Sequence, residues 1–332
     1  MKLGIIGTGA IVQDFLPKLI KLEGLSVISI MDIPTQLDQA NRMKKEYGLE
    51  LATTSFSELC ESGIDTIYVA VPNILHYDFC KKALLRGKNV IVEKPMTSSI
   101  EEAIELKELA ESKSLFLFEA VTTLYLGTYL KIKEWLPKIG QIKSIESNHT
   151  QYSRRYDAFL EGIILPAFDP EKAGGALMDL NLYNLHFIMG LVGEPEKVTY
   201  YPTIEKNIDT NGLLVLQYPD FIAHCFAAKD CNGLIGSTIQ GTKGFIKTIY
   251  PPNLVGEVTL QLNDGTIDKF DDKSAFNRLI PEFSTFINAI NEKNFDFCYE
   301  QLNRSLSVSK VLTKARREAG INFPCDGAGA SK

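Results

Sequence analysis

Apolar and polar positions alternate in two different ways along the chain. Over the first 120 residues, short apolar runs are separated by stretches with helical spacing. Residues 3–6 read as a strand, and Ile11, Val12, Phe15, Leu16, Leu19 and Ile20 follow at helical intervals. Pro17 lies inside that helix and removes one backbone bond, so a bend is expected there. The same reading gives strands at 27–31, 66–71, 90–92 and 115–118, and helices at 37–47 and 76–85. Ser98 and Glu101 have capping-box spacing and open a helix to Ser112. Strand–helix alternation of this kind builds a parallel sheet covered on both faces, with ligands at the carboxyl ends of its strands.

From about residue 121 the texture changes. Residues 142–151 read as a strand and 174–192 as one long helix. Runs at 213–217, 222–226, 234–240, 245–250 and 258–262 read as strands, broken by turns such as Pro219-Asp220 and Asp264-Gly265. That pattern predicts an antiparallel sheet. Helices return at 276–290 and 301–318. The expected division is 1–120, 121–326 and a flexible tail at 327–332. The fold class is α/β, a doubly wound parallel sheet followed by an α+β domain with a large, open, mostly antiparallel sheet.

Composition narrows the partners. The 332 residues carry a net charge of −6, which argues against nucleic acid, whose phosphates call for a basic surface. Lys314-Ala315-Arg316-Arg317 is read as a solvated helix face. The six cysteines include no C-x-x-C pair, so no metal site or disulfide framework is expected, and a reducing cytoplasm fits. No signal peptide opens the chain and no apolar run approaches the roughly 18 residues of a membrane span.

Several clusters carry candidate chemistry. The turn Gly7-Thr8-Gly9-Ala10-Ile11 joins the first strand to the first helix, where Gly7 permits a tight turn and Gly9 admits a pyrophosphate to the helix N-terminus. Val12 stands where that fingerprint has Gly or Ala, which implies looser helix–strand packing. Asp32 ends the second strand, where a carboxylate bonds a ribose 2′-hydroxyl and repels a 2′-phosphate. NAD is therefore expected as cofactor, with NADP as the other option. Val71-Pro72-Asn73, followed by His76, and Glu93-Lys94-Pro95 close two further strands at the same edge. Lys94 faces the ligand crevice, Glu93 positions or neutralises it, and Pro95 fixes the turn, with a cis bond as one option. Asp179, Tyr183 and His186, spaced four and three apart, share one face of an otherwise apolar helix. Either they are satisfied core polar groups or they meet a ligand. Arg154 and Arg155, on a loop, either meet a carboxylate or phosphate or form a solvated pair.

Taken in order, the glycine turn, Pro72-Asn73 with His76, Glu93-Lys94-Pro95, and Gly174-Gly175 leading to Asp179 resemble the glucose–fructose oxidoreductase, inositol dehydrogenase and rhizopine-catabolism (Gfo/Idh/MocA) family over the whole chain. The resemblance implies an N-terminal Rossmann domain that binds NAD(P) and a C-terminal domain for substrate and oligomerisation, whose sheet packs against another subunit in a homodimer or homotetramer. It implies a catalytic role for Lys94. Tyr183, four positions after Asp179, resembles the tyrosine branch of glucose–fructose oxidoreductase and dihydrodiol dehydrogenase. Asn181 replaces a common Gly, and His186 a frequent Asp. The expected function is a hydride transfer between a nicotinamide and a secondary alcohol of a sugar, polyol or dihydrodiol. Lys94 and Tyr183 form the acid–base pair, and Asp179 and His186 hold hydroxyls or relay the proton. The alternative is a non-catalytic dinucleotide-binding regulator of the same fold.

Overall fold

The computed structural model describes residues 1–273 and 277–327. It divides into two compact units, Met1–Ala120 with Glu282–Leu306, and Val121–Pro281 with Ser307–Lys332. The change of unit after Ala120 falls where the sequence texture changes. Segment 282–306, expected in the second domain, packs instead with the first unit through edge-to-face and stacked aromatic contacts. Phe283 lies 4.5 Å from Phe15 and 5.3 Å from Tyr68, Phe286 lies 4.5 Å from Phe118, and Phe295 lies 4.3 Å from Phe116, centroid to centroid.

In the first unit the elements run β1 (Lys2–Ile6), α1 (Ala10–Leu19), β2 (Ser26–Met31), α2 (Leu37–Tyr47), β3 (Leu51–Thr53), α3 (Phe56–Glu61), β4 (Thr66–Val69), α4 (His76–Leu85), β5 (Asn89–Glu93), α5 (Ile100–Ser112) and β6 (Leu117–Ala120). The six strands pair in the order β3-β2-β1-β4-β5-β6, all parallel. That is the dinucleotide-fold order, and it reverses direction between β1 and β4. Strand β3 and helix α3 are too short to register as periodic runs. The cap of α5 sits one residue later than the capping-box spacing suggests: Ser99 Oγ accepts from Glu102 N–H, and Glu102 Oε2 accepts from Ser98 N–H at 3.0 Å. Helix α1 continues through Pro17, and Val12 is buried.

The second unit holds α6 (Gly127–Trp135), β7 (Ile142–Thr150), α7 (Tyr156–Leu160), α8 (Leu182–Val192) and strands β8 (Lys197–Glu205), β9 (Ile208–Gln217), β10 (Ile222–Ala228), β11 (Gly236–Gly241), β12 (Gly244–Thr248), β13 (Glu257–Leu262) and β14 (Ile267–Asp271). Its sheet runs β14-β13-β12-β11-β7-β10-β9-β8, and only the β7–β10 pair is parallel. The expected single helix over 174–192 is divided. Residues 177–181 form a wider π turn, and the α-helix proper begins at Leu182.

The chain closes with α9 (Leu279–Asn291) and α10 (Phe295–Glu318). The expected start of the former at Phe276 and the tail beyond Gly327 lie outside the described residues. The basic run in α10 is not a uniformly solvated face. Lys314 is exposed, but Arg316 is fully buried in the second unit, paired with Asp326, bonded to Ile321 O at 2.7 Å and stacked 4.1 Å from the Phe323 ring.

Candidate active site

The glycine turn leaves β1 and enters α1 at the point where strand order reverses. Gly7 has φ +107°, and a Cβ there would lie 2.2 Å from Ala70 O, so only glycine fits. Gly9 caps α1, and a Cβ on it would meet nothing within 4 Å. Gly9 has no side chain to cap the helix, no side-chain cap is present among the described residues, and Gly9 and Ala10 are exposed beside half-buried Ile11. The first N–H groups of α1 are thus open to an anion, as a pyrophosphate requires. Asp32 holds the turn: Oδ2 accepts from Thr8 N–H at 2.7 Å and from Thr8 Oγ1 at 2.6 Å, and Oδ1 accepts from Ile33 N–H at 2.8 Å. The residues present fit a dinucleotide.

The turn carrying Lys94 is braced at three points of the same unit. The Tyr68 hydroxyl donates to Glu93 Oε1, within the strand layer. The His76 ring bridges two turns, with Nδ1 2.7 Å from Pro95 O and Nε2 2.9 Å from Val71 O. Glu119, near the end of β6, accepts Met96 N–H at 2.8 Å. The Lys94–Pro95 bond is cis. Burial pushes the His76 pKa down, against the two carbonyl bonds that favour its charged form. With both ring nitrogens committed to carbonyls, His76 supports the cofactor edge by tying Val71 to Pro95 rather than by offering a free nitrogen. Pro72 is exposed, and Asn73 and Lys94 are half-buried at the same edge. Glu119 escaped the sequence reading, although a carboxylate inside the apolar run 115–121 was a visible signal.

In the second unit, Gly174 and Gly175 lead into the π turn. A Cβ on Gly174 would lie 2.6 Å from Pro166 O, and one on Gly175 (φ +100°) would lie 2.1 Å from Asp209 Oδ1. Asp209 accepts Leu177 N–H at 2.6 Å and the Tyr200 hydroxyl at 2.7 Å. Burial raises its pKa to about 6, against those bonds and the nearby Lys229. Asp179, 34% exposed, pairs at 3.0 Å with Lys229, whose side chain is 2% exposed. The Lys229 ammonium also donates to Ala167 O and lies 4.6 Å from the Phe168 ring centre. Tyr183 is nearly buried, with its ring 5.7 Å from that of His149, and His186 is buried deeper along α8. The three residues expected on one face therefore grade from pocket wall to core. Asp179 and Lys229 line a cavity of about 340 Å³ with Gln151, Ser153, Arg154 and Arg155.

Asn181, the departure from Gly, is a sheet anchor. Its Nδ2 donates to Gly212 O at 3.3 Å and its Oδ1 accepts from Asn184 Nδ2 at 2.8 Å. Asn184 Oδ1 in turn accepts from Ser147 Oγ at 2.9 Å. Neither this network nor Lys229 and Asp209 was singled out in the sequence. Their partners are far along the chain, and only a charged residue flanking an apolar strand hinted at Lys229. Among the described residues no group of three or more His, Cys, Asp or Glu is placed to hold a metal, and no helix is long and apolar enough to cross a membrane.

A parallel sheet of this strand order, with a glycine turn at its switch point, defines a dinucleotide-binding architecture. Residues 1–121 match the Gfo/Idh/MocA oxidoreductase family with NAD-binding Rossmann fold, and residues 129–247 match the Gfo/Idh/MocA C-terminal domain. The chain belongs to this family and is an NAD(P)-binding oxidoreductase. It is 29% identical to the scyllo-inositol 2-dehydrogenase (NADP(+)) IolU of Bacillus subtilis, over 99% of this chain and 100% of that one. It is 24% identical to the trans-1,2-dihydrobenzene-1,2-diol dehydrogenase of Mus musculus, over 98% and 99%. The fold is shared with KijD10, a 3-ketoreductase from Actinomadura kijaniata solved with NADP and TDP-benzene, at TM-score 0.81 and 21% identity over 97% and 98% of the two chains.

Proposed function

We propose that the protein oxidises and reduces a secondary alcohol of a sugar or polyol, with Lys94 and Tyr183 as its acid–base pair. The observation that carries this reading is the Lys94 turn, braced by Tyr68, His76 and Glu119 at the edge of the sheet that holds the glycine turn. Three braces on one lysine-bearing turn are the kind of support that a positioned catalytic group needs. Relatives named as dehydrogenases of scyllo-inositol and of trans-dihydrodiols support an alcohol substrate.

The bound dinucleotide supplies the hydride acceptor for oxidation and the donor for reduction. The first N–H groups of α1 hold the pyrophosphate, and Thr8, fixed by Asp32, sets the shape of that cradle. In oxidation the phenolate of Tyr183 takes the hydroxyl proton, and Lys94 hydrogen-bonds the substrate oxygen. A phenol of ordinary pKa near 10 is a poor base at neutral pH, and a lysine cation acting on the same oxygen favours the phenolate. Asp179, held by Lys229, accepts hydrogen bonds from neighbouring hydroxyls. His186, buried on α8, supports the helix that carries Tyr183. The test is nicotinamide absorbance with polyols, aldoses and trans-dihydrodiols as substrates. Turnover of at least one class supports the reading, and cofactor binding with no turnover across all three contradicts it.

The open sheet of the second unit supports a homodimer or a homotetramer. Tyr201 and Ile222 are more than half exposed on its strands, next to half-buried Leu213, Val215 and Phe226. An apolar sheet face of this kind is what a subunit interface covers. Light scattering at micromolar concentration is expected to give at least twice the chain mass of 37.0 kDa.

A further inference from the structure

The cavity beside Asp179 has a charge that neutral polyol chemistry does not need. Asp179 and Lys229 cancel each other across 3.0 Å. Two further cationic residues, Arg154 and Arg155, line the same cavity. Both residues are exposed, and among the described residues neither side chain has a hydrogen-bond or ion-pair partner. Two acids near this loop are engaged elsewhere. Asp157 accepts the Tyr152 hydroxyl at 2.6 Å, and Glu205 accepts the Tyr156 hydroxyl at 3.0 Å and Thr210 Oγ1 at 3.1 Å.

The backbone that presents the arginines is fixed. Gln151 N–H donates to Ala228 O at 2.9 Å and Ser153 N–H to Lys229 O at 2.8 Å, so the loop continues the β7–β10 pairing past the strand ends. Tyr152 N–H is held by Asn232 Oδ1 at 2.8 Å, and Tyr156 N–H by Ser153 O at 2.8 Å. Ordering the two side chains is then the main entropic cost of gripping an anion. The planar fork of a guanidinium suits a phosphate or carboxylate better than a hydroxyl. A volume of about 340 Å³ lies at the low end of small-molecule sites, which fits a single acidic sugar.

From this we infer that the cavity is a subsite for an acidic substituent, so that the substrate is a sugar or polyol bearing a phosphate or carboxylate, held by Arg154 and Arg155. The inference rests on the oxidoreductase reading above and narrows its substrate class.

The experiment is calorimetric binding of glucose 6-phosphate, gluconate, glucose and inorganic phosphate to the full-length protein and to the Arg154→Ala/Arg155→Ala double variant. Titration with NADH serves as the folding control. At low salt, at least one of the two acids is expected to bind about tenfold or more tighter than glucose, the scale of one charge-assisted contact. Whichever acid gains more identifies the substituent. The preference is expected to shrink with added salt. It should vanish in the double variant with NADH binding intact, and return in part in Arg154→Lys/Arg155→Lys. Equal binding of acids and glucose, an unchanged preference in the double variant, or inorganic phosphate binding as tightly as glucose 6-phosphate would each overturn the inference. The oxidoreductase reading fails separately. Arginine-dependent acid binding without turnover of any sugar, polyol or acidic derivative leaves the subsite standing and removes the reaction. Turnover of neutral sugars in a protein that shows no preference for acids does the reverse.

Discussion

At the scale of single residues, Asp32 has a structural task that its place in the sequence did not show. Its position at the end of β2 reads as a ribose ligand, and the structure adds that its carboxylate fixes Thr8 and Ile33. An anion tethered by three hydrogen bonds cannot turn aside for a 2′-phosphate, and exposed Ile33 offers no cation to receive one. NADH is therefore expected to bind more tightly than NADPH when both are titrated by protein fluorescence. Asp32→Ala should narrow that gap and weaken both cofactors, since it also frees Thr8. Equal or tighter NADPH binding by the unaltered protein, as the name of the Bacillus relative suggests for that enzyme, would contradict this role. Gly7, Gly9, Asp32 and Lys94 were legible because each sits within a few residues of a strand end that periodicity marks. Lys229 and Glu119 were not, because their roles depend on pairing with Asp179 and Met96, 50 and 23 positions away.

At the scale of elements, the helix over 177–192 shows what apolar periodicity leaves out. The run from Leu182 to Met189 predicts a buried helix, and one is present. The pattern does not reveal the π turn at 177–181, whose wider spacing follows from contacts with distant groups. Asp209 holds Leu177 N–H, and Asn181 reaches Gly212 O. Such widened turns often occur at functional sites, and this one carries Asp179. The polar network of Asn181, Asn184 and Ser147 fastens the helix to β7 and β9 inside the core, where every unmet group is costly. Asn184→Leu should leave Ser147 and Asn181 each short of a partner, at about 1–3 kcal/mol per group. The melting midpoint is expected to fall by roughly 4 °C or more. An unchanged midpoint would show that the network does not hold the helix.

At the scale of the whole molecule, the turn at 324–326 acts as a clasp within the second unit. Asp326 is nearly buried and pairs with Arg316 and Arg317. Burial opposes its charge, but Arg316, the Phe323 N–H and Arg317 prevail and hold its pKa at about 2. Because the folded pKa lies below the ordinary carboxylate value, this stabilisation is present above about pH 4 and is lost as the pH falls through about 2. Its size is about 2 kcal/mol. Urea unfolding of the unaltered protein should weaken over that window by about this amount more than that of Asp326→Asn. Parallel pH profiles for the two would refute the clasp. The division of the chain was legible only in part. The change of texture near residue 121 is a local signal, whereas the assignment of 282–306 to the first unit depends on Phe283, Phe286 and Phe295 finding aromatic partners far earlier in the chain, in Phe15, Phe118 and Phe116.

On the reading proposed above, Lys94 and Tyr183 work as one acid–base pair. Steady-state turnover of Lys94→Ala, Tyr183→Phe and the double variant on a confirmed alcohol substrate tests it most directly. Each single change is expected to lower kcat by roughly 100-fold or more with NADH binding retained. The double variant should lose little beyond either single change, as residues acting together do. Losses that multiply in the double variant would mean that the two act independently, and near-normal turnover in Tyr183→Phe would contradict the assignment outright.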